Sequence, residues 1–317
     1  MHPRIIHIGL GKVASSTLQE TLFPILAINS PNREYIGPQS EERIRYIKLF
    51  LEKKLEIKQQ IHLQEWLENS KYILSYEGLL SWNPEFWGSS IQRLRELVGS
   101  DVQIILFLRE PVSYLRSVYQ QSLAIGVNKS PAEYFYTQSN PSLEPLKYHN
   151  IAFNLHQFNY LGLINMLETN FSDVKVFPIS SLGNIKTVLS RLGVEDKLLE
   201  KKVETKLKMK HYNISYNNRS MLILIIFNKL IKVLGFPDYE TNIELHHLKF
   251  KQLNISQKFR VISFRIYKKL RILDRFLKWY SRKSSGPKYK LPGTIYLNIP
   301  AVLSSEKFFN EIKKDNK

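Results

Sequence analysis

Seven residues in mid-chain, Val102-Gln103-Ile104-Ile105-Leu106-Phe107-Leu108, carry one polar side chain before the chain turns at Arg109-Glu110-Pro111. A strand with one face in water alternates apolar and polar residues, so a near-continuous apolar run needs cover on both faces. That is the position of a strand inside a parallel sheet with helices packed over it. Strand-like segments recur at Arg4 to Leu10, Tyr35-Ile36-Gly37, Tyr72 to Tyr76 and Val174 to Phe177. Between them the spacing turns helical. Leu18 and Leu22 begin one such pattern, which Pro24 is expected to end; Ile44, Ile47, Leu51 and Leu55 form one face over Glu41 to Gln60. Ile91, Leu94, Leu97 and Val98 mark a helix closed by Gly99, and further helices are predicted over about His156 to Asn170 and over Ile185 to Leu192, the last ended by Gly193. Pro111 stands in the first helical turn, which proline tolerates. Strands alternating with helices predict an α/β fold with a doubly wound, mostly parallel sheet as its core over residues 1–195. Beyond Glu195 strand signals fade, and residues 196–317 read as a mainly helical, basic extension packed on that core.

The 317 residues carry a formal charge of +18, placed unevenly. From Lys249 to Lys290 there are 14 Lys or Arg against Asp274 alone, a local +13 that leaves +5 for the rest. Such a block suits an anionic membrane face, an anionic substrate or nucleic acid. Within it Phe259, Ile262, Ile266, Leu270, Leu273, Leu277 and Tyr280 recur at three or four, the pattern of a basic amphipathic helix. The longest apolar run, Met221 to Phe236, is broken by Lys229 and Lys232 and falls short of the roughly 20 apolar residues that a crossing needs. It reads as a buried or surface-docked helix. The chain has no cysteine, and its start offers no secretory leader, so a reducing cytoplasm is expected, with peripheral attachment to the inner face of the membrane as an option.

The first strand runs into Gly9-Leu10-Gly11-Lys12-Val13-Ala14-Ser15-Ser16-Thr17. A phosphate needs backbone N–H groups at a helix start, glycine for close approach and a lysine as point charge, and these follow one another here. The order departs from the ATPase loop, in which lysine directly precedes the Ser or Thr that holds magnesium. Lys12 stands three residues ahead of Ser15, and Val102 to Leu108 ends in Arg109 rather than an acid.

These residues resemble the sulfotransferases that use 3′-phosphoadenosine 5′-phosphosulfate (PAPS). Gly9, Lys12, Ser15 and Ser16 fall on that family's first motif, Gly-x-x-Lys-x-Gly-Thr-Thr. Arg109, Pro111, Ser117 and Tyr119 fall on its second, an arginine at a strand end with a serine eight residues later. Val174 to Val194 is similar to the family's next strand and helix, so the resemblance covers about residues 4–194. Ala14 stands where the family usually has glycine, and Tyr114 where carbohydrate-acting members often have a second arginine, with Arg116 nearby. The resemblance implies a P-loop-like nucleotide site with PAPS as co-substrate, lined by Gly9, Gly11, Lys12, Val13, Ala14, Ser15, Ser16 and Thr17. Lys12 would stabilise the leaving group, the helix start would hold the 5′-phosphate, and Arg109 with Ser117 would grip the 3′-phosphate.

Transfer to an acceptor hydroxyl or amine needs a general base. Glu77, at the end of the Tyr72 to Tyr76 strand, is the first candidate and Glu34 the rival; His62, His149 and His156 are weaker. His7 lies inside the first strand and is expected in the core. His246-His247 lacks companion ligands at metal spacing, so no metal is expected. The expected activity is sulfation of a saccharide or glycolipid, with an anionic membrane surface as a further partner and nucleic acid disfavoured. The alternatives are a P-loop-type kinase and a basic nucleic-acid- or membrane-binding protein on an inactive scaffold.

Overall fold

The computed structural model describes residues 3–124, 127, 129–137, 152–209, 218–233, 290–297 and 299–315. The expected helix over Phe259 to Tyr280, most of the basic block, His149 and the His246-His247 pair lie outside them. In chain order the elements are β1 (Arg4–Ile8), α1 (Ser15–Glu20), α2 (Leu22–Ile28), β2 (Glu34–Ile36), α3 (Glu41–Leu51) and α4 (Ile57–Asn69). Then come β3 (Tyr72–Tyr76), α5 (Trp87–Val98), β4 (Gln103–Leu108), α6 (Pro111–Ala124), α7 (Pro131–Tyr134), β5 (Phe135–Tyr136) and β6 (Phe153–Asn154). The rest are α8 (Tyr160–Asn170), β7 (Asp173–Pro178), α9 (Ile185–Arg191), α10 (Lys197–Met209), α11 (Asn218–Val233) and α12 (Pro300–Asp315). They fall into two compact units, one of Met1–Tyr114, Leu155–Asn213 and Ile299–Lys317, the other of Leu115–Asn154 and Ile214–Asn298.

The first unit is α/β, built on a five-stranded sheet in the order β2-β3-β1-β4-β7, every neighbouring pair parallel. Ile8 lies in register with both Tyr76 and Leu106, so β3, β1 and β4 end together on one edge. From β1 the chain leaves toward β2 and β3; from β4 it leaves the other way, toward β7. Adjacent strands with diverging connections create a crevice at their carboxyl ends, where open α/β sheets bind ligands. Ile5, Ile6, His7 and Ile8 of β1 and all of β4 are buried, as strands covered on both faces must be. Helix α2 packs on β2 and β3, α5 packs against α3, α4 and α8, and α12 packs on α8 and β7. Gly99 closes α5 with a φ of 74°, a left-handed value that favours glycine, and Gly193 does the same after α9 at 72°.

Three local expectations need correction. Pro24 does not end the first helical pattern: the break falls at Thr21, and Pro24 sits in the first turn of α2, where a missing N–H costs little. The single helix over Glu41 to Gln60 is two. Lys53 turns the chain with a left-handed φ of 55°, and the Lys54 N–H donates back to the Leu49 carbonyl at 2.8 Å. Glu56 and Gln59 then form a reciprocal capping box that starts α4. The apolar spacing runs on through this turn, so periodicity conceals it. Helix α8 begins at Tyr160 rather than near His156, because the Asn159 side chain accepts the Gly162 N–H at 3.1 Å and caps it there.

In the second unit, Tyr119, Tyr134, Phe135 and Phe153 form an aromatic cluster around the short parallel pair β5-β6. The Asn228 amide of α11 donates to the Leu123 carbonyl at 2.9 Å, tying α11 to the end of α6. Among the described residues no helix is long and apolar enough to cross a membrane, and no three His, Asp or Glu gather as metal ligands would.

Candidate functional site

Between Ile8 and Ser15 the chain reverses in a loop in which Lys12 and Ala14 both take left-handed conformations, φ 68° and 64°. Each costs a non-glycine residue roughly 1–2 kcal/mol. Left-handed residues in such turns belong to the backbone concavities that bind anions, and strain of this kind gathers at functional sites. Ala14 is also the N-cap of α1, and no side chain caps that helix. Its first-turn N–H groups, from Ser15 onward, have no carbonyl within the helix to meet them. Leu18 N–H reaches the Ala14 carbonyl at 3.0 Å, the first bond of the helix proper. Along the loop Gly11, Val13, Ser15 and Thr17 are buried, whereas Lys12, Ala14 and Ser16 keep partial access to solvent.

Gly11 is required by packing. A methyl there would run into the ring of Trp82, which is itself buried over the loop. A methyl at Gly9 would lie 3.1 Å from both Glu77 Cγ and Ser15 Oγ, so strand end, loop and helix start meet there. Glu77 directly follows β3 and is partly buried. Burial raises its pKa, while the Lys12 ammonium and a hydrogen bond with Ser15 pull it back toward the charged form. Ser15 Oγ also lies 3.4 Å from the Leu10 carbonyl.

Arg109 follows β4, and its Nη1 donates to the Lys12 carbonyl at 3.2 Å. The buried Tyr160 hydroxyl donates to the Arg109 carbonyl at 2.9 Å, and the Ser305 hydroxyl accepts the Tyr160 N–H at 3.0 Å. Burial raises the Tyr160 pKa far above its ordinary value, so the group remains a phenol and a donor. Thus Gly9, Gly11, Lys12, Ser15, Glu77 and Arg109 converge on the carboxyl edge of β3, β1 and β4.

Glu34 does not join them. It opens β2 in register with Tyr72, at the amino-terminal edge of the sheet, and pairs with Arg43 at 3.8 Å. Ser117 is buried on the second turn of α6 and belongs to the second unit. His7 is a core residue as expected. Its Nδ1 lies 2.7 Å from Ser75 Oγ, its ring is 4.7 Å from that of Phe23, and burial lowers its pKa to about 3. Trp82 and Tyr160 have no sequence signature: an aromatic six residues past a strand end, or at a helix start, signals only packing until the fold shows what it packs on. No protein-family model, curated protein or solved structure matches this chain.

Proposed function

We propose that the carboxyl edge of β3, β1 and β4 binds a 3′-phosphorylated adenine nucleotide, and that the chain transfers a sulfuryl group from PAPS to a saccharide or glycolipid acceptor. The observation that carries this reading is the meeting of a lysine, an arginine and a carboxylate on a left-handed loop whose helix start has no side-chain cap. In the transfer, an acceptor oxygen forms a bond to sulfur as the bond from sulfur to the 5′-phosphate oxygen breaks. The acceptor proton passes to the Glu77 carboxylate, and 3′-phosphoadenosine 5′-phosphate departs with the electron pair. Sulfuryl transfer resembles phosphoryl transfer in being loose and in line, so catalysis is chiefly positioning and charge neutralisation. Lys12 would neutralise the departing oxygen, and the N–H groups and hydroxyls of Ser15, Ser16 and Thr17 would hold the 5′-phosphate. Arg109 would hold the 3′-phosphate, for which the guanidinium fork is suited. Partial burial strengthens Glu77, the first candidate, as the base, while Glu34 lies at the opposite edge of the sheet.

One observation favours a second reading, a P-loop-type kinase. Glu77 ends the strand next to β1 and hydrogen-bonds the hydroxyl of Ser15 at the helix start. In P-loop enzymes an acid and a hydroxyl at the phosphate loop together hold magnesium. The position of Lys12, three residues ahead of Ser15, weighs against it.

Thermal-shift titration separates the two. The sulfotransferase reading expects 3′-phosphoadenosine 5′-phosphate to stabilise the chain without magnesium, and ATP to do so poorly. Arg109→Ala is expected to weaken that ligand by about tenfold or more and adenosine 5′-phosphate by under about twofold. Equal losses for both, or magnesium-dependent stabilisation by ATP alone, would overturn it.

A further inference from the structure

We infer that helix α11 docks on an anionic membrane surface through its exposed apolar stripe. Leu222, Ile223, Ile226, Leu230 and Val233 are between 42% and 82% exposed. At 100° per residue they fall within an arc of about 100° along the 16-residue helix. Ser220, Met221, Leu224 and Asn228 are buried on the opposite side, where Asn228 anchors the helix to Leu123. The inward face is therefore already buried, and the outward face presents five large aliphatic side chains to solvent. Continuous exposed apolar surface of this kind marks an interaction site.

Charge selects the occupant. The sequence of α11 holds Arg219, Lys229 and Lys232 and no acid. The whole second unit holds 20 Lys or Arg against 6 Asp or Glu, which is +14 of the chain's +18. A second copy of the same face would bring like charges together. Nucleic acid would meet the cations but offers no apolar layer for the aliphatic stripe. An anionic bilayer meets both, with headgroups for the exposed Lys229 and acyl chains for Leu222, Ile226 and Leu230. The helix would lie in the interface plane and not cross it.

Flotation of the full chain with vesicles tests this. Binding is expected to vesicles of phosphatidylcholine with about 30% phosphatidylglycerol and not to phosphatidylcholine alone. Ile226→Gln with Leu230→Gln is expected to lower the partition coefficient about tenfold or more while circular dichroism stays unchanged, as the altered side chains are exposed. Leu222→Trp is expected to shift its emission to the blue on anionic vesicles and to be quenched by brominated acyl chains. Undiminished binding by the double variant would overturn the inference, leaving charge alone as the attraction. So would a dimer that the double variant dissociates, or DNA binding that displaces the chain from vesicles regardless of the variant. None of these outcomes bears on nucleotide binding by the first unit.

Discussion

Strands β1 and β4 lie side by side and end on the same edge of the sheet, yet the helices that follow begin in opposite ways. At α6 the Glu110 carboxylate accepts the N–H groups of Val112 and Ser113 at 2.9 and 2.8 Å, and Pro111 has no N–H to satisfy. The chain has closed that helix start with its own acid. At α1 no side chain caps the helix, the cap residue Ala14 is held left-handed, and Lys12 stands beside it together with the Glu77 carboxyl, which bonds the Ser15 hydroxyl rather than the backbone cap. Two turns of the same type in one sheet thus differ in whether the positive end of a helix is neutralised internally or left for something else. On the proposed reading, an anion brought from outside would meet the positive end of α1, whereas at α6 it would meet the Glu110 carboxylate. The crevice at the strand ends holds both, and Arg109 lies against the loop that leads into α1.

Four substitutions probe this contrast. Lys12→Ala carries the largest expected effect, a loss of sulfuryl transfer on the order of a hundredfold to a thousandfold with an unchanged thermal midpoint. Near-normal turnover would show that the α1 turn is not where charge develops. Gly11→Ala forces a methyl into the Trp82 ring and is expected to cost about 1–3 kcal/mol in urea unfolding. An unshifted midpoint would mean that the loop is not braced from above. Glu110→Ala uncaps α6 and is expected to cost about 1 kcal/mol, with 3′-phosphoadenosine 5′-phosphate still binding. If that ligand is lost, the two turns are not separable and the comparison fails. Ala14→Gly is the smallest and opposite in sign. Relief of the left-handed strain is expected to gain up to about 1 kcal/mol, seen as a slightly raised melting temperature. A destabilised Ala14→Gly chain would show that Ala14 is not strained.

Much of the sheet was legible because buried parallel strands announce themselves by apolar runs. Tyr72 to Tyr76 matches β3 in full, and Val102 to Leu108 differs from β4 by one residue. Gly99 and Gly193 marked helix ends for the conformational reason observed. The breaks at Thr21 and Lys53 were not legible. Each falls where apolar spacing continues, and the interruption is set by backbone bonds and capping side chains that periodicity does not register. Glu34 and Glu77 looked alike in sequence, each an acid at a strand boundary. Glu34 begins its strand and Glu77 ends one, and in a parallel sheet that places them on opposite edges.

The residues by themselves therefore determined local matters: which segments are strands of the five-stranded sheet, though not the short β5 and β6, where glycine must close a helix, and that a lysine and small hydroxyl residues follow the first strand. Those depend on neighbours a few positions apart, which the chain order already holds. The strand order β2-β3-β1-β4-β7 was a tertiary decision, because only pairing across some seventy to a hundred residues aligns Ile8 with Tyr76 and Leu106. That alignment sets Glu77 beside Ser15, Arg109 against the Lys12 carbonyl and Trp82 over Gly11. It also left α11 with one face spent on packing and the other turned outward, a division that its nearly continuous apolar sequence does not encode.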